Sequence, residues 1–467
     1  MIATPLLLEL GTAGLMLVVL LVGLFGPRRD PRLPAFVATA GVLLLAALAM
    51  VLAPSGAALG GMFVQDGLAV FAKRVLLAAT FIGLLAGLGS ATFGRRAAEY
   101  HLLILASLLG MLTLVSARDI ILLFLAFELM SIPLYVLAGF ARRSPESIEA
   151  SLKFFLVGSV SSAVMAYGLS FVYGATGSTR LAVIARAPAD AWLTLGLVAV
   201  LAGLAFKIAA FPFHMWVPDT YEAAATPFVA WLSVAPKAAG FVTLFRVYFE
   251  AAGERAQVWG PAAAALATAT MLAGNLMALP QKNTKRLLAY SGIAQIGYML
   301  VGIAAASASG TAMVLFYLVA YVFGNMGAFL VVEAVARSEG SESTSAFRGL
   351  AQRSPLLALA MLLFLLSLGG IPFVAGFWAK LYVFWAAAER GLYWLVLVGA
   401  ILTVVALFYY LVIARSMYIE APAREERVRV APALALSLVL CVLGIVVLGL
   451  YPKSVVMAAL RVSAPLF

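Results

Sequence analysis

Charge and cysteine are what this chain has least of. Of its 467 residues, 11% are Asp, Glu, Lys or Arg, where soluble proteins carry about 25%. So few charges cannot cover a water-facing surface, and 64% of the residues are hydrophobic. The single cysteine, Cys441, sits in a Val/Leu-rich run, and an iron–sulfur cluster needs several ligands. No CxxCH haem site and no glycine-rich nucleotide loop after a strand is present. There are two histidines, His101 and His214. Electron transfer by this chain alone is therefore not expected. The first residues lack the basic n-region and cleavage site of a signal peptide and read as a first span. The net charge of +11 does not point to nucleic acid, because the Lys and Arg lie in short loops between apolar runs.

Those runs are near 20 residues long, the length of spanning helices rather than of barrel strands. The pattern predicts an all-α polytopic membrane protein of about fourteen transmembrane helices. Expected limits are 3–26, 33–53, 68–89, 100–116, 119–140, 150–174, 191–213, 227–249, 259–280, 287–306, 311–335, 355–388, 391–419 and 431–451. One set of loops holds eighteen basic residues, among them Arg28, Arg29, Arg95, Arg142, Arg143, Lys282, Lys285 and Arg286. The other holds ten, among them Lys73, Arg118, Arg180, Arg246 and Arg255. The richer side is read as cytoplasmic, which puts both termini outside. Glu9, Asp66 and Glu333 fall near expected helix ends and read as solvated. Trp378, Trp385 and Trp394 read as packing and interfacial anchors.

Two spans look interrupted. The seventh carries Pro212 and runs into FPFHMWVPDTYEAAATP; the twelfth carries Gly369-Gly370-Ile371-Pro372. Proline removes an internal hydrogen bond, and the freed carbonyls need other partners. Broken helices at corresponding places in two halves point to a transport site. The breaks are five spans apart, so spans 4–8 and 9–13 read as two five-helix repeats, the second inverted. The organisation expected is a three-helix segment (1–99), a first repeat (100–250), a second repeat (259–420) and a C-terminal helix and tail (431–467). A plain proline kink is the competing reading of each break.

Four ionisable residues fall inside the apolar runs: Glu128, Lys207, Lys237 and Lys380. A charge at the centre of a spanning helix costs about 2.5–3.5 kcal/mol even on the lenient insertion scale, so such residues line polar interiors or ion paths. Glu128 and Lys207 on adjacent helices would form a switchable pair, with Lys237 and Lys380 as further proton-holding sites. The rival reading for each is a static ion pair or, for Lys380, a side chain that snorkels to the interface. His214 suits a relay by its ordinary pKa, or is interfacial packing beside Phe213 and Trp216. Lys153 reads as interfacial, with a role in proton uptake as the alternative. Asp219 and Glu222 follow the seventh span and read as lining the next segment.

The segments FELMSIPLYVLAGF around Glu128, ASLKFFLVGSVSSAVMAYGLSFVYGATGST, FKIAAFPFHMWVPDTYEAAATPFVAWLSVAPKAAGF and QKNTKRLLAYSGIAQIGYML resemble the antiporter-like membrane subunits of respiratory complex I. That family is in turn similar to the large subunits of multi-subunit cation/proton antiporters. The resemblance implies two inverted five-helix repeats. It also implies proton translocation through Glu128, Lys207, Lys237 and Lys380, coupled to quinone reduction elsewhere. NADH, FMN, iron–sulfur clusters and quinone would then belong to partner subunits, with no cofactor and no metal on this chain. The implied partners are other membrane-arm subunits, among them an antiporter-like subunit M and small subunits such as K and J, in a bacterial inner membrane. A subunit of a sodium/proton antiporter without redox chemistry is the alternative.

Overall fold

In the computed structural model, residues 5–25, 32–52, 54–88, 96–140, 144–188, 190–253, 256–422 and 424–467 are described. The loop arginines Arg28, Arg29, Arg95, Arg142, Arg143 and Arg255 lie outside the described residues. Among the described residues, thirteen helices are long and apolar enough to cross a membrane. In chain order, spans 1 to 7 are Leu7–Phe25, Leu33–Val51, Gly67–Gly87, Ala97–Leu114, Ile120–Ala138, Pro145–Thr176 and Ala191–Ile208. Spans 8 to 11 are Thr226–Ala251, Trp259–Ala278, Thr284–Ala304 and Ala308–Glu339. Span 12 is split into Pro355–Gly369 and Ala375–Glu389, and spans 13 and 14 are Tyr393–Tyr418 and Pro432–Leu450. Two elements were not expected. A short hairpin pairs Gly56–Ala58 with Phe63–Gln65 before span 3, and the tail holds a helix, Lys453–Ser463, whose Val462 lies against Gly67.

The two repeats are built alike down to their caps. Span 5 starts at Asp119 and span 10 at Asn283, and each side chain accepts a hydrogen bond from a backbone N–H of its own first turn. Such caps satisfy donors that a helix start leaves free. Spans 6 and 11 are both 32 residues long, start at Ser144 and Ser307, and end at Gly177 and Gly340 with φ of 65° and 67°. Glycine carries that left-handed conformation without the Cβ penalty other residues meet. These caps lengthen both helices beyond the apolar runs, which is why hydropathy put their ends too far in. The loops flanking spans 5 and 6 are stitched by Ile120 N–H to Thr179 O (2.9 Å) and Leu181 N–H to Arg118 O (3.0 Å). The loops flanking spans 10 and 11 repeat the stitch with Thr284 N–H to Glu342 O (2.8 Å) and Thr344 N–H to Lys282 O (2.9 Å). Five crossings separate the two stitches, so they lie on opposite membrane faces.

Close helix contact follows the same symmetry. A Cβ on Gly110 of span 4 would stand 2.3 Å from Met130 N of span 5, and one on Gly274 of span 9 would stand 2.3 Å from Ala294 N of span 10. Without water between them, helices associate through such small-residue approaches.

Several charges expected at solvated ends are buried instead. Glu9 of span 1 pairs with Lys73 of span 3 at 2.7 Å, and Lys73 also donates to Gln65 at 2.6 Å. Glu333 is buried and pairs with Arg337 one turn on, at 2.5 Å. Arg246, expected in a loop, is fully buried near the end of span 8, where the helix widens to a π-helix. Its guanidinium holds Asp66 through two nitrogens (2.7 and 2.6 Å), Glu250 (2.6 Å) and the carbonyl of Val115 (3.2 Å). Arg118 completes the group by pairing with Asp66 at 2.7 Å and with Glu250. Burial favours the neutral acid of Asp66. The bonds and charge of Arg246, then the charge of Arg118, outweigh it and hold this carboxyl well below the usual carboxylate range. Buried ions of this kind survive only when paired and hydrogen-bonded, and the partners here are too far apart in sequence to be seen from hydropathy.

Candidate functional site

Both expected breaks exist, and the freed carbonyls can be traced. Span 7 stops at Ala209, whose φ of 66° turns the chain out of the helix before the half-helix Trp216–Ala223. Ala210 N–H caps Ala205 O at 2.8 Å, and the Trp216 indole donates to Phe206 O at 3.2 Å. Span 12 stops at Gly370, φ 79°. There Ile371 N–H caps Leu366 O at 3.0 Å, the Gln295 amide donates to Leu368 O at 3.0 Å, and Lys380 Nζ reaches Gly369 O at 3.4 Å. In hydrocarbon every such carbonyl needs a donor. In span 7 an indole supplies it; in span 12 a buried ammonium and an amide do.

Lys207 lies in the last turn of its helix, buried, with its ammonium 5.1 Å from the Phe127 ring centre and 5.8 Å from that of Tyr135. The C-terminal carbonyls of a helix favour a cation there, and aromatic faces add attraction. Lys207 Nζ has no hydrogen-bond partner among the described groups. Glu128 of span 5 is half-buried and accepts a short bond, 2.5 Å, from Ser162 of span 6. The carboxylate and the ammonium interact electrostatically but do not close into an ion pair. The two residues expected to pair thus stand apart in this structure.

Lys237 is placed differently. Span 8 is itself interrupted, with helical pieces Thr226–Leu232 and Ala235–Phe245, and Lys237 is in the first turn of the second piece. That is the positive end of the helix dipole. Its buried ammonium lies between the rings of Tyr221 (5.6 Å) and Tyr321 (5.8 Å), and Nζ, Tyr221 Oη and Tyr321 Oη have no hydrogen-bond partner among the described groups. One turn on, Gly240 packs against the end of span 7, where a Cβ would stand 2.8 Å from Ile208 Cγ2 and 3.6 Å, an ordinary contact, from Lys207 Cγ. On its other side Lys237 reaches Gly292 of span 10, where a Cβ would stand 3.4 Å from Nζ. Counting nine residues from each cap, Gly292 holds the place in the second repeat that Glu128 holds in the first.

Lys380 is buried rather than snorkelling, its ammonium 4.4 Å from the Tyr298 ring centre. From Gly292 to Tyr298 the second repeat carries a lattice of neutral polar groups. Ser291 and Tyr410 hydroxyls bond at 2.6 Å; Gln295 donates to Tyr410 at 3.1 Å and accepts from Tyr317 at 2.5 Å. Tyr409 donates to Asn275 at 3.1 Å, and Asn275 donates to the Tyr298 hydroxyl at 3.3 Å. Sequence reasoning missed these residues. The signal was there: Ser291, Gln295 and Tyr298 recur at helical spacing inside an apolar span.

The auxiliary residues divide. His214, buried in the break, stacks on Phe211 at 5.5 Å, and no described contact joins it to Lys207, Lys237 or Lys380. Lys153 is half-exposed and pairs with Glu149 (2.8 Å) and Asp219 (3.1 Å). Burial raises the Asp219 carboxyl, but bonds from Lys153 and Arg286 outweigh that and hold it below its ordinary value. Arg286 binds both Asp219 and Glu222 at 2.8 Å. Lys285, expected as an ordinary loop charge, is buried and bonds Ala224 O (2.8 Å) and Glu342 (2.9 Å). Among the described residues no group of three or more His, Cys, Asp or Glu is placed to hold a metal ion.

Broken helices in inverted repeats, with buried ammoniums strung between them, define a polytopic ion-translocating class of membrane protein. Residues 117–406 match the family model described as NADH:quinone oxidoreductase/Mrp antiporter, TM. The NADH-quinone oxidoreductase subunit N of Moorella thermoacetica is 42% identical, the match covering 98% of each chain. A chain of respiratory complex I from Thermus thermophilus superposes with a TM-score of 0.84 at 33% identity, over 97% of this chain and 99% of that one. A chain of the Mrp complex from Dietzia sp. DQ12-45-1b gives 0.90 at 22% identity, over 98% and 97%, a likeness of fold alone. The chain belongs to the NADH:quinone oxidoreductase/Mrp antiporter membrane family, and within it to the subunit N branch.

Proposed function

We propose that the chain is a proton-translocating membrane-arm subunit of an NADH:quinone oxidoreductase, itself without redox chemistry. Glu128, Lys207, Lys237 and Lys380 carry the proton, with residues 100–250 and 259–420 as the two working units. The redox groups (NADH, FMN, iron–sulfur clusters and quinone) belong to partner subunits, as do the neighbouring antiporter-like subunit M and small subunits K and J. The basic loops face the cytoplasm of a bacterial inner membrane, and both termini face outward.

One observation carries the reading: Lys207, Lys237 and Lys380 are all buried and none is ion-paired, with Gly240 beside Lys207, Gly292 beside Lys237 and the Tyr298 ring beside Lys380. A static scaffold would neutralise buried ammoniums, as Glu9 does for Lys73. The energy scale fits. Moving one charge across 100 mV costs about 2.3 kcal/mol, and a hundredfold change in proton affinity supplies about 2.7 kcal/mol. A rearrangement that brings Glu128 toward Lys207 and back would gate Lys207. Lys207 would then pass its proton to Lys237, and the lattice of hydroxyls and amides would conduct it to Lys380. Lys153 and His214 are auxiliary on this path.

The test uses the assembled complex in proteoliposomes. Glu128→Ala and Lys237→Ala should each cut proton uptake per quinone reduced at least tenfold without disassembly. Normal pumping by both variants would leave a scaffold. Sodium-dependent proton exchange with no quinone requirement would assign the chain to the antiporter side of the family.

A further inference from the structure

The half-helix Trp216–Ala223 has lost the covalent helix that would orient it, yet it places Tyr221 against Lys237. Its apolar side is fixed by Trp216, stacked on Phe154 at 4.0 Å. Its polar side is held by charges from both repeats. Arg286 of span 10 divides Nη1 between Asp219 and Glu222, both at 2.8 Å. Lys153 of span 6 takes the second oxygen of Asp219, and Lys285 bonds the carbonyl of Ala224 just past the half-helix. The remaining charged or titratable groups facing this cluster are Glu149 on Lys153, Glu342 on Lys285 and the Tyr290 ring 6.0 Å from the Arg286 guanidinium.

We propose that Arg286 is a positioning residue for proton transfer: by clasping Asp219 and Glu222 it makes the half-helix follow span 10, and so sets where Tyr221 stands against Lys237. The clasp joins repeat two to the movable element of repeat one. A displacement of span 10, which also carries Gly292, Gln295 and Tyr298, then reaches both sides of Lys237 together. A permanently charged guanidinium suits the task, because its Nη1 carries two N–H donors and can give one to each carboxylate. Two bonds to a side chain that is 30% exposed are weak enough to exchange yet directional enough to transmit a shift.

This rests on the proton-pumping reading above, and the experiment separates the two. Proton uptake per quinone reduced is measured for the reconstituted complex. Lys237→Ala is the control for the reading itself. Arg286→Gln should lower the ratio at least threefold while quinone reduction stays within twofold, and Arg286→Lys should recover at least half. Tyr221→Ala should lower the ratio alone, and adding Arg286→Gln to it should change the ratio by less than 1.5-fold. If Arg286→Gln impairs assembly, Glu222→Gln, which takes the charge off one of the two bonds, should give an intermediate ratio in an intact complex. A normal ratio in Arg286→Gln or Glu222→Gln, effects that multiply in the double variant, or no recovery with lysine overturns the proposal while Lys237→Ala stays inactive. Pumping that survives Lys237→Ala overturns the underlying reading instead.

Discussion

The first and second repeats have the same skeleton and opposite chemistry. Both have a capped fifth-type helix, a 32-residue neighbour closed by a left-handed glycine, a stitched pair of loops and a broken helix. Yet the first holds a carboxylate, Glu128, apart from a lysine at a helix end. The second has glycine at the matching place, with the Tyr321 hydroxyl and the Lys237 ammonium of span 8 beside it. Around it stand neutral hydroxyls and amides rather than a second acid. Symmetry thus sets the scaffold, while its violation gives the two halves different chemistry. On the path proposed above, one half would offer a charge-gated station and the other a neutral hydrogen-bonded lattice, so the two need not compete for the same role.

The sharpest way to break that comparison is to give the second repeat the acid it lacks. Gly292→Glu, with Tyr321→Ala to make room, should lock Lys237 in an ion pair and stop pumping by more than tenfold, because a buried pair with good geometry is costly to open. Proton uptake per quinone reduced reads the outcome; near-normal uptake would show that the glycine place has no electrostatic meaning. Lys380→Met comes next, with pumping down about threefold to tenfold, since one tenfold step corresponds to about 1.4 kcal/mol. The skeletal half of the comparison predicts equal damage in each repeat. Gly110→Ala and Gly274→Ala should each destabilise by about 1–3 kcal/mol through overpacking, seen as similar drops in the thermal midpoint of the purified complex with pumping per intact complex unchanged. Tyr317→Phe removes one interhelical bond to Gln295, worth about 0.6 kcal/mol, and should slow pumping two- to threefold with little loss of stability. Asp66 gives the smallest effect at neutral pH. Its folded value is depressed, so its stabilisation is fully present above the ordinary carboxylate range near pH 4 and is lost as pH falls through the depressed value. If that ion group stabilises the fold, Asp66→Ala should be less stable than the parent at neutral pH and should lose the part of the acid-induced decline that Asp66 contributes, whereas coincident curves for variant and parent would show that the group does not bear on stability.

Much of this was legible beforehand. The number of spans, both breaks and the four ionisable residues follow from apolar runs, from proline and glycine within them, and from the cost of charge in hydrocarbon. What was hidden depends on distance in sequence. Arg246 meets Asp66 of the N-terminal segment from 180 residues away, and Glu9 of span 1 meets Lys73 of span 3, so single-window hydropathy assigns each to an end. The lattice around Gln295 is hidden for another reason. Tyrosine counts as apolar by window, and only packing shows that its hydroxyls converge. Lys237 was recognised as buried, but not that it serves the opposite repeat, because that follows from the absence of a side chain at Gly292.

The two loop stitches also bear on how the chain is made. The first closes when residue 181 has emerged, long before the second repeat exists, and its bonds are backbone to backbone. Synthesis runs from the N-terminus and units fold as they are completed. On the proposed orientation, repeat one would be sealed on the far side of the membrane during translation and repeat two on the near side, where the ribosome stands. A ribosome pause between residues 253 and 344 would leave a half-pump whose Lys237 has no Gly292 to enter, and cells would have to shelter that ammonium until span 10 arrives.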